Sequence, residues 1–202
     1  MEKSYTDLRI ARTKEAIRAA LTELINEKGF DSITVKDITA RANINRGTFY
    51  LHYRDKYDLL EKCEKEIMRD IVEIEKQGIS TELVNLEDIL LPFPFVISVF
   101  EYVDKHGEFM NAVLGPKGDI SFQIKLKDFM WENLFKKNIK QLIKRENLLV
   151  PDEYLSDYIA SAHLGVIQRW LQRGRKESPK EMARILSTIT VNGPYFAAGL
   201  KR

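Results

Sequence analysis

Two helix starts with almost no chain between them constrain this protein more than any other feature. Residues 34–56 read TVKDITARANINRGTFYLHYRDK. Thr34 followed three residues later by Asp37 has the form of a capping box, and an acidic residue there also suits the positive end of a helix. Val35, Ile38 and Ala42 then fall on one helical face. Asn43-Ile44-Asn45 breaks that period, and Asn45 is a good cap for a second helix over about Arg46 to His52. That second helix is too short to stand alone and must lean on neighbours through Phe49 and Tyr53.

The polar side of the second helix has an unusual make-up. Arg46, Thr48, Tyr50 and His52 all end in polar groups, while Gly47 offers no side chain and permits close approach to another surface. The arrangement fits the recognition element of a helix-turn-helix, and it equally fits a small helical hairpin inside a core. Charge bears on the choice. The formal net charge of the 202-residue chain is only +2. Locally, however, Lys36, Arg41, Arg46, Arg54 and Lys56 are met by only Asp37 and Asp55 in this stretch. Phosphate contact requires such a local excess.

The run Ile38, Ala42, Asn45-Arg46-Gly47-Thr48-Phe49-Tyr50, His52-Tyr53, Lys56 and Leu59-Leu60 resembles the signature of the TetR family of transcriptional regulators. An amphipathic helix before it, about Arg12 to Lys28 and closed by Gly29-Phe30, completes the resemblance over the first sixty or so residues. The remainder resembles the family in length and helical character. Phe100-Glu101-Tyr102 and the stretch Phe122 to Phe135 further resemble the C-terminal domain of a Firmicutes group of these regulators. The resemblance implies an all-α fold in which a three-helix head, residues 1–56, is joined by a long helix to a helical ligand-binding and dimerisation bundle, residues 57–202. It implies phosphate contacts from the positions of Lys56 and Tyr50, with Thr34 at the first helix start. From the residues themselves, Lys56 opens a helix, so its ammonium and the free N–H groups there can meet one phosphate. Arg46, Thr48 and His52 are the expected base-edge or groove contacts, Arg being able to bind guanine through two hydrogen bonds.

Periodicity outlines the rest. Ile17, Ala20, Leu21, Leu24 and Ile25 form one stripe, and a long helix over Lys56 to Gln77 carries Leu60, Cys63, Ile67 and Ile71. Residues 79–85 form a polar connection and 85–88 a helix start, which Pro92 and Pro94 then break or kink. Helices are expected over Phe95 to His106, Glu108 to Leu114 and Ile120 to about Glu146. Another opens at Pro151, and a last one starts from the capping box Ser178-Pro179-Lys180-Glu181. Gly115-Pro116-Lys117-Gly118-Asp119 is a turn without the spacing of a phosphate-binding loop. No apolar run reaches membrane-spanning length, the N-terminus has no leader-like core, and one cysteine forms no internal disulfide; a cytoplasmic, non-membrane protein is the expectation.

Enzymatic signatures are missing from the sequence. His52, His106 and His163 lie far apart, so no metal site is expected, and there is no nucleotide or cofactor fingerprint and no catalytic residue to name. A single short helix reads few base pairs, so a homodimer on palindromic double-stranded DNA is expected. Its interface would use Leu155, Ile159, Ala162, Val166 and Trp170 of one helix, with Ile185, Ile189 and Phe196 of the next. The aromatic middle of the chain suggests a site for an unidentified small-molecule effector, with Phe100, Phe129, Asn133, His163 and Gln168 as its expected contacts. A repressor relieved or retuned by that effector is the first reading. A helical-bundle enzyme or small-molecule carrier with a remnant head is the second, and it would not need Gly47, Thr48, Tyr50 and Lys56 together.

Overall fold

Apolar stripes at helical spacing become helices throughout the computed structural model, which describes residues 5–78, 93–135 and 148–200. Helix α1 covers Tyr5–Lys28, a 3-10 turn Phe30–Ser32, α2 Val35–Arg41, α3 Arg46–Tyr50 and α4 Lys56–Gly78. Then come α5 (Phe93–Lys105), α6 (Gly107–Leu114), α7 (Ile120–Phe129), α8 (Asp152–Gln172), α9 (Pro179–Asn192) and the short α10 (Pro194–Ala197). Among the described residues there is no strand. No described helix is long and apolar enough to cross a membrane.

Helix α1 starts earlier than its apolar stripe requires. The residues before Arg12 hold neither Gly nor Pro, and Asp7 lies in the first turn, where the helix dipole favours a carboxylate. Pro151 stands just outside α8 as its N-cap, with the helix proper beginning at Asp152. Helix α7 is α-helical only to Phe129 and continues as a π-helix over Met130–Phe135. The expected extension to Glu146, the connection at 79–85 and the helix start at 85–88 lie outside the described residues.

The chain forms two compact units. The first comprises Met1–Glu66 together with Glu108–Phe122. Its core is Ile17, Leu21, Ile25, Phe30, Ile33, Ile38, Phe49 and Leu59, all buried. Burying each such side chain contributes about 1.5–3 kcal/mol. The later segment closes this unit at the end of α1, where four carbonyls lack helical partners. Lys117 Nζ donates to Asn26 O (2.8 Å) and Glu27 O (3.2 Å), and the Phe30 N–H donates to Lys117 O at 3.0 Å. A Cβ at Gly118 would overlap the carbonyl of Val113, so this tight turn requires glycine there. A second tie is Arg18, whose guanidinium lies 4.3 Å from the centre of the Phe109 ring and 4.0 Å from Glu66. Burial pushes the Cys63 thiol up to about 11, so it stays protonated at neutral pH and behaves as a core residue.

The second unit comprises Ile67–Gly107 and Gln123–Arg202. Helix α9 packs along α5 and touches α8. Its start is a full capping box: Ser178 N–H donates to Glu181 Oε2 at 2.8 Å, and Glu181 N–H donates to Ser178 Oγ at 3.3 Å. Trp170 is buried here, edge-on to Phe100 at 5.3 Å between ring centres, with its indole N–H donating to Glu177 O. It is therefore an internal residue and not part of an outer stripe. Tyr102 bonds Asp70 and Arg175 pairs with Asp104 within the same unit.

Candidate nucleic-acid interface

The site is assembled from local chemistry first. Thr34 and Asp37 form the expected capping box of α2, with Thr34 N–H on Asp37 Oδ2 at 2.8 Å and Asp37 N–H on Thr34 Oγ1 at 3.2 Å. The Lys28 ammonium at 2.8 Å, and then the Thr34 bonds, hold the Asp37 carboxyl far below the usual carboxylate range. At the far end of α2, Arg41 binds Glu27 through both terminal nitrogens (2.7 and 2.8 Å) and Glu23 at 2.8 Å, fastening α2 to α1. Asn43 then turns the chain with φ 51°, a left-handed conformation that asparagine tolerates better than most residues.

Helix α3 comes next in the chain. Asn45 Oδ1 accepts both the backbone N–H of Thr48 (2.7 Å) and its hydroxyl (3.0 Å). A Cβ on Gly47 would come within 3.2 Å of that same oxygen and crowd the cap. Phe49 is fully buried, packed against Tyr53 with ring centres 5.5 Å apart. The opposite side is open. Arg46, Gly47, Tyr50 and Leu51 are exposed, Leu51 to 81%. At 3.6 residues per turn these four span an arc of about 140° centred opposite the buried side.

A charged corner fixes α3 to α4. The Asp58 carboxylate accepts the Arg54 N–H (2.9 Å), the Lys62 ammonium (2.9 Å) and the Arg54 guanidinium (3.3 Å). These partners, the Arg54 N–H first, lower its pKa to about 2. Lys62 also reaches the carbonyl of His52 at 2.8 Å, so one ammonium holds the end of α3 and the second turn of α4 together.

The expected contact residues divide by position. Lys36 is exposed on the first turn of α2 and Arg46 on α3, and no described carboxylate lies against either. Gly47 and Tyr50 share the α3 face, whereas Thr48 is half-buried with its hydroxyl on Asn45. Thr34 is exposed, its hydroxyl engaged in the cap. His52 lies on the Phe49 side, half-buried, and desolvation followed by the charges of Lys14 and Lys62 lowers its pKa, favouring a neutral ring. The Lys56 ammonium donates to Phe30 O at 3.0 Å and Asp31 O at 2.7 Å, over the Phe30 and Tyr57 rings. The positive excess is smaller than residues 34–56 alone imply, because Arg41 and Arg54 have carboxylate partners from outside or beyond that stretch. Leu51 is an exposed member of this face that the sequence reading does not include. Its spacing of four from Gly47 is the available signal, and its N–H indeed bonds Gly47 O.

The five expected effector contacts fall in the second unit. Phe100 is buried, Phe129 half-buried, and the side chain of Asn133 lies outside the described residues. His163 is buried with Nε2 2.8 Å from Thr190 Oγ1, whose hydroxyl donates to Leu186 O. Burial lowers its pKa to about 4. Gln168 Nε2 donates to Gln123 Oε1 at 3.2 Å. Among the described residues no group of three His, Cys, Asp or Glu side chains could hold a metal ion.

Comparison with known proteins gives a consistent result. A family model described as "Bacterial regulatory proteins, tetR family" matches residues 17–63, and one described as "Transcriptional regulator C-terminal region" matches residues 92–192. The HTH-type transcriptional regulator YxbF of Bacillus subtilis (strain 168) is 24% identical over 184 residues, covering 91% of this chain and 46% of that protein. The chain thus spans less than half the length of YxbF. The HTH-type transcriptional repressor DhaR of Mycobacterium sp. (strain GP1) is 27% identical over 170 residues, covering 77% of this chain and 81% of DhaR. Among solved structures, the fatty acid degradation regulator FadR from Bacillus halodurans superposes with a TM-score of 0.67 at 19% identity, over 90% of this chain and 96% of that one.

Proposed function

The chain belongs to the TetR family of transcriptional regulators, and we propose that it is a homodimeric repressor binding a palindromic operator in the cytoplasm and retuned by a small-molecule effector. The family is one of DNA-binding regulators, which sets aside the reading as an enzyme with a remnant head. The observation that carries the proposal is the open arc of α3, where Arg46, with no described carboxylate against it, stands beside Gly47 and Tyr50 on a helix held from behind by Phe49.

In this reading the residues within 1–56 make the DNA contacts and residues 57–202 bind effector and partner. Arg46 reads a base edge from the major groove, and Gly47 lets the backbone approach closely. Lys36, Tyr50 and the start of α2 at Thr34 meet phosphates. Thr48 and His52 support the arc from behind. Lys56 holds the Phe30–Ser32 turn and exchanges its carbonyl partners for a phosphate on binding. The repressor assignment draws on the likeness to DhaR.

Dimerisation uses the outer face of α8 and α9. Tyr154, Tyr158 and Ile185 are exposed there, Ala162 and Val166 are half-buried, and a Cβ at Gly165 would meet no atom of the described residues within 4 Å. Effector binding involves Phe100, Phe129, Asn133, His163 and Gln168. It shifts the protein between two states only to the extent that its affinity for them differs.

Selection of bound duplexes from a random pool tests the whole reading. The expected result is a two-fold symmetric sequence, with half-site centres about one or more helical turns apart, whose affinity falls steeply with salt. Enrichment of no sequence, or of an asymmetric one bound by a single chain, would overturn it.

A further inference from the structure

Leu51 has no structural reason to be a leucine. It is 81% exposed, in right-handed helical conformation, and contributes nothing to the core that Phe49 and Tyr53 form. A lone exposed leucine needs no explanation on an ordinary surface. This one lies on the open arc of α3, beside the side-chain-free Gly47 and one helical turn from it. Nothing on α3 therefore shields it from a surface that approaches the arc. Two of the polar groups expected to read bases are turned to other work: the Thr48 hydroxyl bonds Asn45 Oδ1, and His52 lies on the Phe49 side. That leaves Arg46 as a hydrogen-bonding reader and Leu51 as an apolar one.

The major groove presents one apolar group, the C5-methyl of thymine. We propose that Leu51 is a specificity residue that packs on a thymine methyl, so that each half-site carries an obligatory thymine next to the base read by Arg46. The inference rests on the DNA-binding reading above and adds the identity of one base to it.

Deoxyuridine differs from thymidine only in lacking that methyl, which makes the test direct. Duplexes selected from a random pool by the full-length protein are resynthesised with deoxyuridine replacing each thymine in turn, and affinities are measured by competition. The expected result is one symmetry-related pair of positions where the replacement weakens wild-type binding roughly fourfold per half-site, the effect of burying one methyl group. Leu51→Ala should bind the two duplexes equally, with the salt dependence of wild type, and Leu51→Val should retain part of the discrimination. Circular dichroism melts check that both variants fold. Sensitivity unchanged in Leu51→Ala, insensitivity of wild type at every thymine, or selected half-sites without thymine would each overturn the assignment while leaving sequence-specific binding intact. Failure to enrich any sequence would overturn the DNA-binding reading, and this one with it.

Discussion

The cap on α3 offers the sharpest test of how local structure supports recognition. Asn45 Oδ1 accepts two hydrogen bonds from Thr48, and α3 has only five residues, so the cap is a large share of what holds its first turn. Asn45→Ala removes both bonds. Because Asn45 is exposed, water can satisfy the released N–H, which places the expected loss near the middle of the range for caps, about 1 kcal/mol. A loss of that size corresponds to about a fivefold change in an equilibrium constant, and DNA affinity should fall by up to that factor as the ordered helix becomes less populated. Asn45→Asp separates the two roles of the position. Aspartate caps as well as asparagine and suits the helix N-terminus, so urea unfolding should match wild type within a few tenths of a kcal/mol. Its carboxylate stands beside Arg46 and adds negative charge on the side that faces DNA, so DNA affinity should fall at low salt and the deficit should shrink as salt rises. Urea midpoints and fluorescence anisotropy against one selected duplex measure both. An alanine variant as stable and as active as wild type would refute the capping argument. An aspartate variant with undiminished affinity at low salt would refute the placement of DNA over the start of α3.

Three further outcomes are expected. His163 is buried neutral with a pKa near 4 against 6.5 in the unfolded chain, so between those values the unfolded state binds more protons. The stability it contributes is present above pH 6.5 and lost as pH falls toward 4, by at most about 1.4 kcal/mol per pH unit. His163→Gln should flatten that slope in urea titrations at pH 7, 6 and 5, and an unchanged slope would show that other groups set it. Lys117→Met keeps the aliphatic stem but removes the ammonium from the carbonyls of Asn26 and Glu27, and should cost about 1 kcal/mol by urea unfolding; a stability equal to wild type would mean that water caps α1 as well as Lys117 does. Gly165→Trp has open space within one chain, so helix content should persist while sedimentation shows a monomer; a dimer would move the proposed interface elsewhere.

Legibility in the sequence tracks the range of the chemistry. Thr34 with Asp37, Asn45 with Thr48, and Ser178 with Glu181 each act across three residues, so their caps are visible as short patterns. Phe49, Tyr53 and Cys63 are recognisable as core by periodicity. Interactions that join distant residues leave no such trace. Arg41 counts as a free cation in its own stretch, but its carboxylates come from Glu23 and Glu27 on another helix. Lys56 reaches carbonyls 25 and 26 residues away. Trp170 belongs to the same apolar stripe as Val166 in sequence, and only the packing of Phe100 places it inside. Leu51 escapes because apolarity marks core on average, and its exposure depends on how Phe49 anchors the helix.

The turn at Lys117 also carries a consequence for how the protein is made and recombined. Lys117 closes the end of α1 from 91 residues downstream of Asn26. At translation rates of about 5–20 residues per second, α1 waits roughly 5–20 s after Asn26 is synthesised before that partner exists. Until then the nascent N-terminal unit has an open C-terminal end on α1, and Arg18 lacks the ring of Phe109. The same discontinuity limits modular exchange between relatives. A gene fusion joined within α4 would transplant residues up to Glu66 and leave Glu108–Phe122 behind. A chimaera that keeps both pieces from one parent preserves the unit, so the exchange needs three crossover points, after Glu66, before Glu108 and after Phe122.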